Sequence, residues 1–374
     1  MPRLLQAIID QLETLYEDTE SLAISHAVGG ISKFHLHITR PGCEYNGNVG
    51  KKLDTLLPAW FEHSAISGYG DMRSLETKVD SEVRNAREIP ASEFDVKPEF
   101  LVKIQKLWGR HFLPRNVRAV PYKIHLYGPG GHFKSHRDTP ETNLVGTFLV
   151  GLGDTTTSEG NFRIADETLK AERGCWVAFY PDTPHEITKL EDGHRAVIAF
   201  KIFRVADNEP EVTLESRVKE ILDQVPVPFG LFTTHQYSIG TTSLNGFDAL
   251  LSAYARSRND AESHMLPVVT KFEGEVFDED PPEDYENTAK SLVYPFTRAH
   301  VDILLDKNVI QAKQEVQWLK GLSEIPFYSW DLKRSSETWK KDYPDGYGYI
   351  GNEATSSRED SIYLSYAILF LPRK

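Results

Sequence analysis

Apolar residues at Leu4, Leu5, Ile8, Ile9, Leu12 and Leu15 stand three and four positions apart, a spacing that predicts an amphipathic helix. The alternating run ISKFHLHITR predicts a short strand, and GNVGKKLDTLLPAWFE and KPEFLVKIQKLWGRHFL return to helical spacing. From Val117 the texture changes. VRAVPYKIHLY, LVGTFLVGLG, GCWVAFY and HRAVIAFKIFRV are alternating or wholly apolar runs parted by Gly, Pro, Asp and Thr, the pattern of strands joined by turns. Many strands with few helices between them point to a sandwich or jelly roll. The polar stretch ADNEPE, residues 206–211, marks a boundary, and EVTLESRVKEILDQV and NGFDALLSAYARS beyond it predict helices. EGEVFDEDPPEDYEN reads as an acidic surface loop, and DSIYLSYAILFLPRK as a closing strand. The expected class is α+β. Helical support with short strands occupies 1–116, a β-rich core 117–205, and an α/β accessory region 206–374.

Composition narrows the partners. A length of 374 residues suits two domains, and 40% hydrophobic with 26% charged residues places the chain among globular rather than disordered proteins. A formal charge of −13 argues against nucleic acid as a partner, because phosphate backbones demand a basic face. It favours a cationic or zwitterionic small molecule or peptide over a polyanion. No run of about 18 apolar residues exists to span a membrane, and the N-terminal stretch lacks the pattern of a signal peptide. Cys43 and Cys175 are too few for a disulfide scaffold or a Cys-rich zinc site, so a reducing, cytoplasmic setting is expected.

The stretch GGHFKSHRDTPETN, residues 130–143, carries the chemistry and admits two readings. His136-Arg137-Asp138 followed by Asn143 matches the catalytic loop of protein kinases. A kinase also needs a separate glycine loop far upstream, a lysine on a later strand and an Asp-Phe-Gly for magnesium. Here the glycines at 128, 130 and 131 immediately precede His136, and no Asp-Phe-Gly occurs. The kinase match is chance.

The same His136-x-Asp138 spells two ligands of a metal. On a strand, residues i and i+2 share a side, so both would face one cavity and Arg137 the other way. A second imidazole would complete a facial triad, which leaves three positions open on a non-haem iron. His185 is the favoured third ligand, because it follows CWVAFYPDTP and opens the strand HEITKL. Ten residues on stands Arg195, whose guanidinium inside a barrel calls for an anion to meet it. His194 is the rival, with Arg204 at the same offset, but it sits in the turn. A second pair, His300 and Asp302, has no histidine after it and so cannot complete a triad in this order.

LYGPGGHFKSHRDTP, GTFLVGLG, CWVAFYPDTPHEI and GHRAVIAFKIF, taken together over about residues 117–205, resemble the prolyl-4-hydroxylase-like branch of the Fe(II)/2-oxoglutarate dioxygenases. That resemblance implies a double-stranded β-helix, a jelly roll flanked by helices. It implies Fe(II) held by His136, Asp138 and His185, with Arg195 pairing the distal carboxylate of 2-oxoglutarate. Tyr127 would line the co-substrate pocket and Thr147 would contact the co-substrate, while Trp176 and Phe179 belong to the core. The implied reaction consumes O2, with ascorbate in support, and hydroxylates an unactivated C–H bond of an amino acid, peptidyl residue or small natural product. Succinate and CO2 leave. Halogenating relatives have a small residue where Asp138 stands, so hydroxylation is the expected outcome.

Two positions depart from the family: Glu159-Gly160-Asn161 replaces a frequent Gly-Gly pair, and Phe133 stands where many relatives have tyrosine. Rival readings are a zinc hydrolase or cupin-type isomerase on the same ligands, or a non-catalytic β-helix. Residues after 206 suit either an accessory unit or a degenerate second β-helix, and DGYGYIGNEATSSRED a lid or a surface loop.

Overall fold

A computed structural model describes residues 25–71, 76–139, 141–157, 160–205, 212–238, 243–273, 290–295 and 362–373, with a few short pieces besides. Its contacts divide the chain into two units. One comprises residues 21–209 with 349–361, and the other 1–20, 210–348 and 362–374. The second His-x-Asp pair and most of both the acidic loop and the lid candidate fall outside the described residues; within the lid candidate, Tyr347–Tyr349 is a short strand.

In chain order the first unit runs β1 (His26–Gly30), β2 (His35–Ile38), β3 (Tyr45–Asn48), α1 (Leu57–His63), β4 (Ala65–Ile66), β5 (Arg84–Asn85), β6 (Arg87–Pro90), β7 (Phe94–Val96) and α2 (Pro98–His111). It continues through β8 (Val117–Tyr127), β9 (His132–His136), β10 (Leu144–Asp154), β11 (Phe162–Ile164), β12 (Glu167–Leu169), β13 (Cys175–Phe179), β14 (His185–Ile187) and β15 (Arg195–Arg204). A seven-stranded sheet has the order β1-β13-β10-β15-β8-β6-β4, and a five-stranded sheet the order β12-β11-β14-β9-β5. From β8 onward the chain shuttles between the two. β8, β10, β13 and β15 lie in the larger sheet, and β9, β11, β12 and β14 in the smaller.

The period-two alternation of each long strand assigns its two faces. On β15, Ala196, Ile198, Phe200 and Ile202 join Phe100, Ile104 and Trp108 of α2 in one core. The intervening Arg195, Val197, Ala199 and Lys201 line a pocket instead. β10 repeats this, with Phe148 and Val150 toward the helix core and Thr147 and Leu149 in the pocket. Across the pocket, Phe133, Phe162 and Ile187 of the smaller sheet form a second apolar cluster with Leu149, Val177, Phe179 and Ala199. Trp176 packs in the helix-side core, as expected, whereas Phe179 is fully buried yet also lines the pocket.

The second unit contains α3 (Val212–Leu222), β16 (Phe229–Phe232), α4 (Gly246–Ser257), β17 (Ala261–Glu273), β18 (Lys290–Pro295) and β19 (Ile362–Pro372). In its seven-stranded sheet, β18, β17, β19 and β16 are neighbours in that order, so the closing strand is central rather than an edge. Buried Asp248 on α4 accepts bonds from the Thr234 and His235 amides and the Tyr237 hydroxyl, which ties the helix to the loop after β16. Among the described residues no helix is long and apolar enough to cross a membrane.

Candidate metal centre

β9 and β14 are antiparallel neighbours, and their register sets His136 directly opposite His185. Directly opposed residues in an antiparallel pair share a face, with Cβ atoms about 5 Å apart. The two imidazoles therefore meet, ring centroids 4.3 Å apart. Asp138 completes the group: the three candidate ligand atoms lie within 4.8 Å of one another, and His185 Nε2 is 3.8 Å from Asp138 Oδ1. Among the described residues, no other group of three His, Cys, Asp or Glu side chains meets in this way.

Both rings are oriented from behind. His136 Nδ1 donates to the Lys134 carbonyl at 2.8 Å, and His185 Nδ1 to the Thr183 carbonyl at 2.9 Å. A carbonyl only accepts, so each Nδ1 carries the proton and each Nε2 presents a lone pair. Burial pushes both histidine pKa values down. The neighbouring ring adds to this at His136, and Asp138 opposes it at His185. Both imidazoles are thus neutral near pH 7, the form that binds a metal.

Asp138 is positioned by Thr147, whose hydroxyl donates to Oδ2 at 2.5 Å, and by its own amide, which donates to the Pro181 carbonyl at 3.0 Å. The expected place of Asp138 on the strand is corrected here: β9 ends at His136, and the aspartate lies two residues beyond it. Arg137 does not face the other way, as a regular strand would have it. Its Nε donates to the Asp182 carbonyl at 2.9 Å, and the side chain lines the pocket.

Arg195 opens β15 and is 2% exposed. Its neighbours across the sheet are Tyr127 on β8 and Asp154 on β10. One terminal nitrogen donates to the Gly160 carbonyl at 2.9 Å, while Nε has no partner. Burial lowers the guanidinium pKa, and Asp154 and Tyr127 oppose that shift. No carboxylate comes within ion-pair distance of Arg195 among the described residues, so this buried cation is left with unspent donors beside a pocket of about 330 Å³. Gly160, one of the residues departing from the family pattern, contributes the carbonyl that steadies it.

No family model matches this chain. No curated protein matches it either. Solved structures do. A Pseudomonas putida prolyl-4-hydroxylase aligns at 16% identity and a TM-score of 0.34, covering 52% of this chain and 99% of that one. A Trichoplax adhaerens prolyl hydroxylase, in complex with a hypoxia inducible factor peptide fragment, aligns at 12% identity and 0.33, covering 53% and 91%. A viral collagen prolyl hydroxylase from Paramecium Bursaria Chlorella virus-1, in a 2OG complex, aligns at 17% identity and 0.26, covering 33% and 81%. Those proteins are what this chain is similar to. At such scores the overlap decides no chemistry, which rests on the side chains themselves.

Among the rival residues, His194 stacks edge-on with Phe61 at 5.6 Å and takes no part in the cluster. Phe133, in place of the family's tyrosine, lies flat on His136 with centroids 3.6 Å apart. Among the pocket residues that were not anticipated are two that bond to each other. Arg84, on β5, is 5% exposed, and His125, on β8, accepts from it. Arg84 lies in a short strand outside the β-rich stretch, where no hydrophobic alternation signals it.

Proposed function

We propose that this protein is an Fe(II)- and 2-oxoglutarate-dependent oxygenase that hydroxylates an unactivated C–H bond of an amino acid, peptidyl residue or small natural product. The observation that carries this reading is the pairing of two elements in one pocket. One is a His136-Asp138-His185 cluster with both Nε2 atoms presented inward, and the other is a buried arginine without a counter-ion. The donor set suits Fe(II), which two imidazoles and one carboxylate bind on a single octahedral face. Arg195 suits the distal carboxylate of the keto acid, since its planar fork pairs a carboxylate in two places.

Bound iron and the keto acid supply the oxidising power, with O2 consumed and succinate and CO2 released. The chain does the rest. His136, Asp138 and His185 hold the metal, and Thr147 fixes the carboxylate so that its second oxygen stays turned to the site. Arg195 orients the co-substrate, Tyr127 stands opposite it, and Phe162 and Phe179 exclude water around His185. A zinc hydrolase or isomerase on the same ligands leaves Arg195 without a task.

The alternation of eight strands between two sheets supports reading residues 117–205 as a double-stranded β-helix. In that reading, residues 1–116 serve as support and 206–374 as an accessory region. Succinate release with Fe(II), ascorbate and 2-oxoglutarate tests the function. Wild-type protein should turn over slowly without a second substrate, and His185→Ala should fall to the no-enzyme rate. Activity that survives His185→Ala removes the ligand assignment.

A further inference from the structure

The pocket is basic inside an acidic chain. Arg84, Lys123, Arg137, Arg195 and Lys201 line it, and Asp138 is its single carboxylate among the described residues. Two of these cations are already matched: Lys123 pairs with Glu88 at 2.8 Å and Lys201 with Glu141. Arg195 has the role described above. Arg137 is half-buried and spends Nε on a carbonyl.

Arg84 remains. The residue is 5% exposed, and no carboxylate approaches its guanidinium within ion-pair distance among the described residues. It donates to the Gly68 carbonyl at 3.0 Å and to His125 Nδ1 at 2.7 Å, and Nε has no partner. A guanidinium offers five N–H donors, so most of these are unspent. Leaving such a cation buried without an anion is unfavourable, and a counter-charge from outside would recover part of that cost.

The bond to His125 fixes a second donor. A guanidinium cannot accept, so His125 Nδ1 is the acceptor and the ring's proton sits on Nε2. Burial and the surrounding cations hold this ring neutral. Arg84 and His125 thus present donors and no acceptor on one wall of the pocket. The pair is also next to the metal ligands. The Arg84 guanidinium lies over the Phe133 ring at 4.5 Å, and Phe133 stacks on His136. Arg195 lies elsewhere, at the start of β15, where it faces Gly160 and Leu169.

We propose that Arg84 and His125 form a receiving site for a carboxylate on the molecule to be hydroxylated, which makes the substrate an acid. This deepens the oxygenase reading and rests on it for the word substrate, but the anion site itself does not. It also reverses the preference for a cationic partner drawn from the total charge. The net charge sums the outer surface, whereas the pocket's own lining meets the ligand.

The test uses the full chain with Zn(II) in place of iron and saturating 2-oxoglutarate, so that Arg195 is engaged. Ligand-observed NMR would screen N-acetyl amino acids and short peptides, each as the free C-terminal acid and as the carboxamide. At least one acid should bind, with its amide at least tenfold weaker. Small acids binding without peptides, or the reverse, identifies the source of the carboxylate. Arg84→Gln should lose that acid at least tenfold while 2-oxoglutarate affinity stays within twofold. His125→Asn, which keeps an acceptor for Arg84 but loses the ring Nε2 donor, should also discriminate less between acid and amide. Circular dichroism and the melting temperature confirm that each variant is folded.

Equal binding of acids and amides, no acid binding at all, or full acid affinity in both variants overturns the proposal. A loss of 2-oxoglutarate instead of the acid reassigns Arg84 to the co-substrate and overturns it as well. If succinate release is absent but acids still bind through Arg84, the oxygenase reading fails and the anion site stands.

Discussion

Each proposed iron ligand is held in place by a bond to a neighbour, and these bonds set the first predictions. Thr147 donates to Asp138 at 2.5 Å. Thr147→Val keeps the shape and removes the hydroxyl, so the carboxylate loses its brace and the aspartate can rotate. Partners that orient metal ligands typically contribute 10–100-fold in affinity or activity. A cobalt titration followed by absorption should show a loss of about that size, and unchanged affinity would assign the hydroxyl to another task. Thr147, expected at the co-substrate, lines the pocket, and its hydroxyl donates to Asp138. Arg195→Met removes the partner proposed for the co-substrate without touching the proposed ligands. A hydrogen bond to a charged group contributes about 1.5–3 kcal/mol, so the KM for 2-oxoglutarate should rise roughly tenfold or more. Cobalt affinity should stay constant in that variant. A variant that loses metal while keeping its KM would contradict the separation of the two roles.

At the scale of elements, the site depends on the β9–β14 register. A shift of one residue would turn His185 to the opposite face from His136, because side chains alternate along a strand. The larger sheet is in turn aligned by α2, whose Trp108 lies fully buried against β10. Gly146 on β10 is where the ring comes closest: a Cβ built there would collide with the Trp108 side chain and the Phe179 carbonyl. Overpacking of this kind typically costs about 1–3 kcal/mol. Gly146→Ala should lower the urea midpoint accordingly. Because Thr147 is the next residue, metal affinity should fall with it. A midpoint equal to wild type would show that α2 can shift without cost.

For the whole molecule, metal and stability are linked. A ligand that binds only the folded state stabilises it by about 2.7 kcal/mol when its concentration is one hundred times its dissociation constant. The triad lies in the unit built around residues 21–209. Zn(II) should therefore slow hydrogen exchange in β8 to β15 and leave β16, β17 and β19 near their metal-free rates. Removal of the metal with a chelator should restore the original pattern. Equal protection of both units would show that the metal acts on the chain as one cooperative body. The charge follows the same division of scales. A net −13 governs the outer surface, while a pocket with one carboxylate among five cations governs what enters.

The long strands were legible along the chain because burying one face of a sheet requires alternating side chains, and β8, β10, β13 and β15 carry that pattern. α1, α2, α3 and α4 were legible from apolar spacing for the same reason. His136 and Asp138 announced themselves by their two-residue spacing, and His185 and Arg195 by their order after it. The short strands β5 and β6 have too few positions to form a period, and β1, HAVGG, has no apolar alternation, so all three went unread. Arg84 lies in one of these, and its meaning comes from a histidine on another strand. Sequence alone thus selected which side chains can hold a metal, because local pattern and residue chemistry are written along the chain. Tertiary structure alone decided the facing of His136 and His185, the bracing of Asp138 by Thr147 and the meeting of Arg84 with His125. Strand register and sheet closure join residues far apart in sequence, and no local periodicity encodes that pairing.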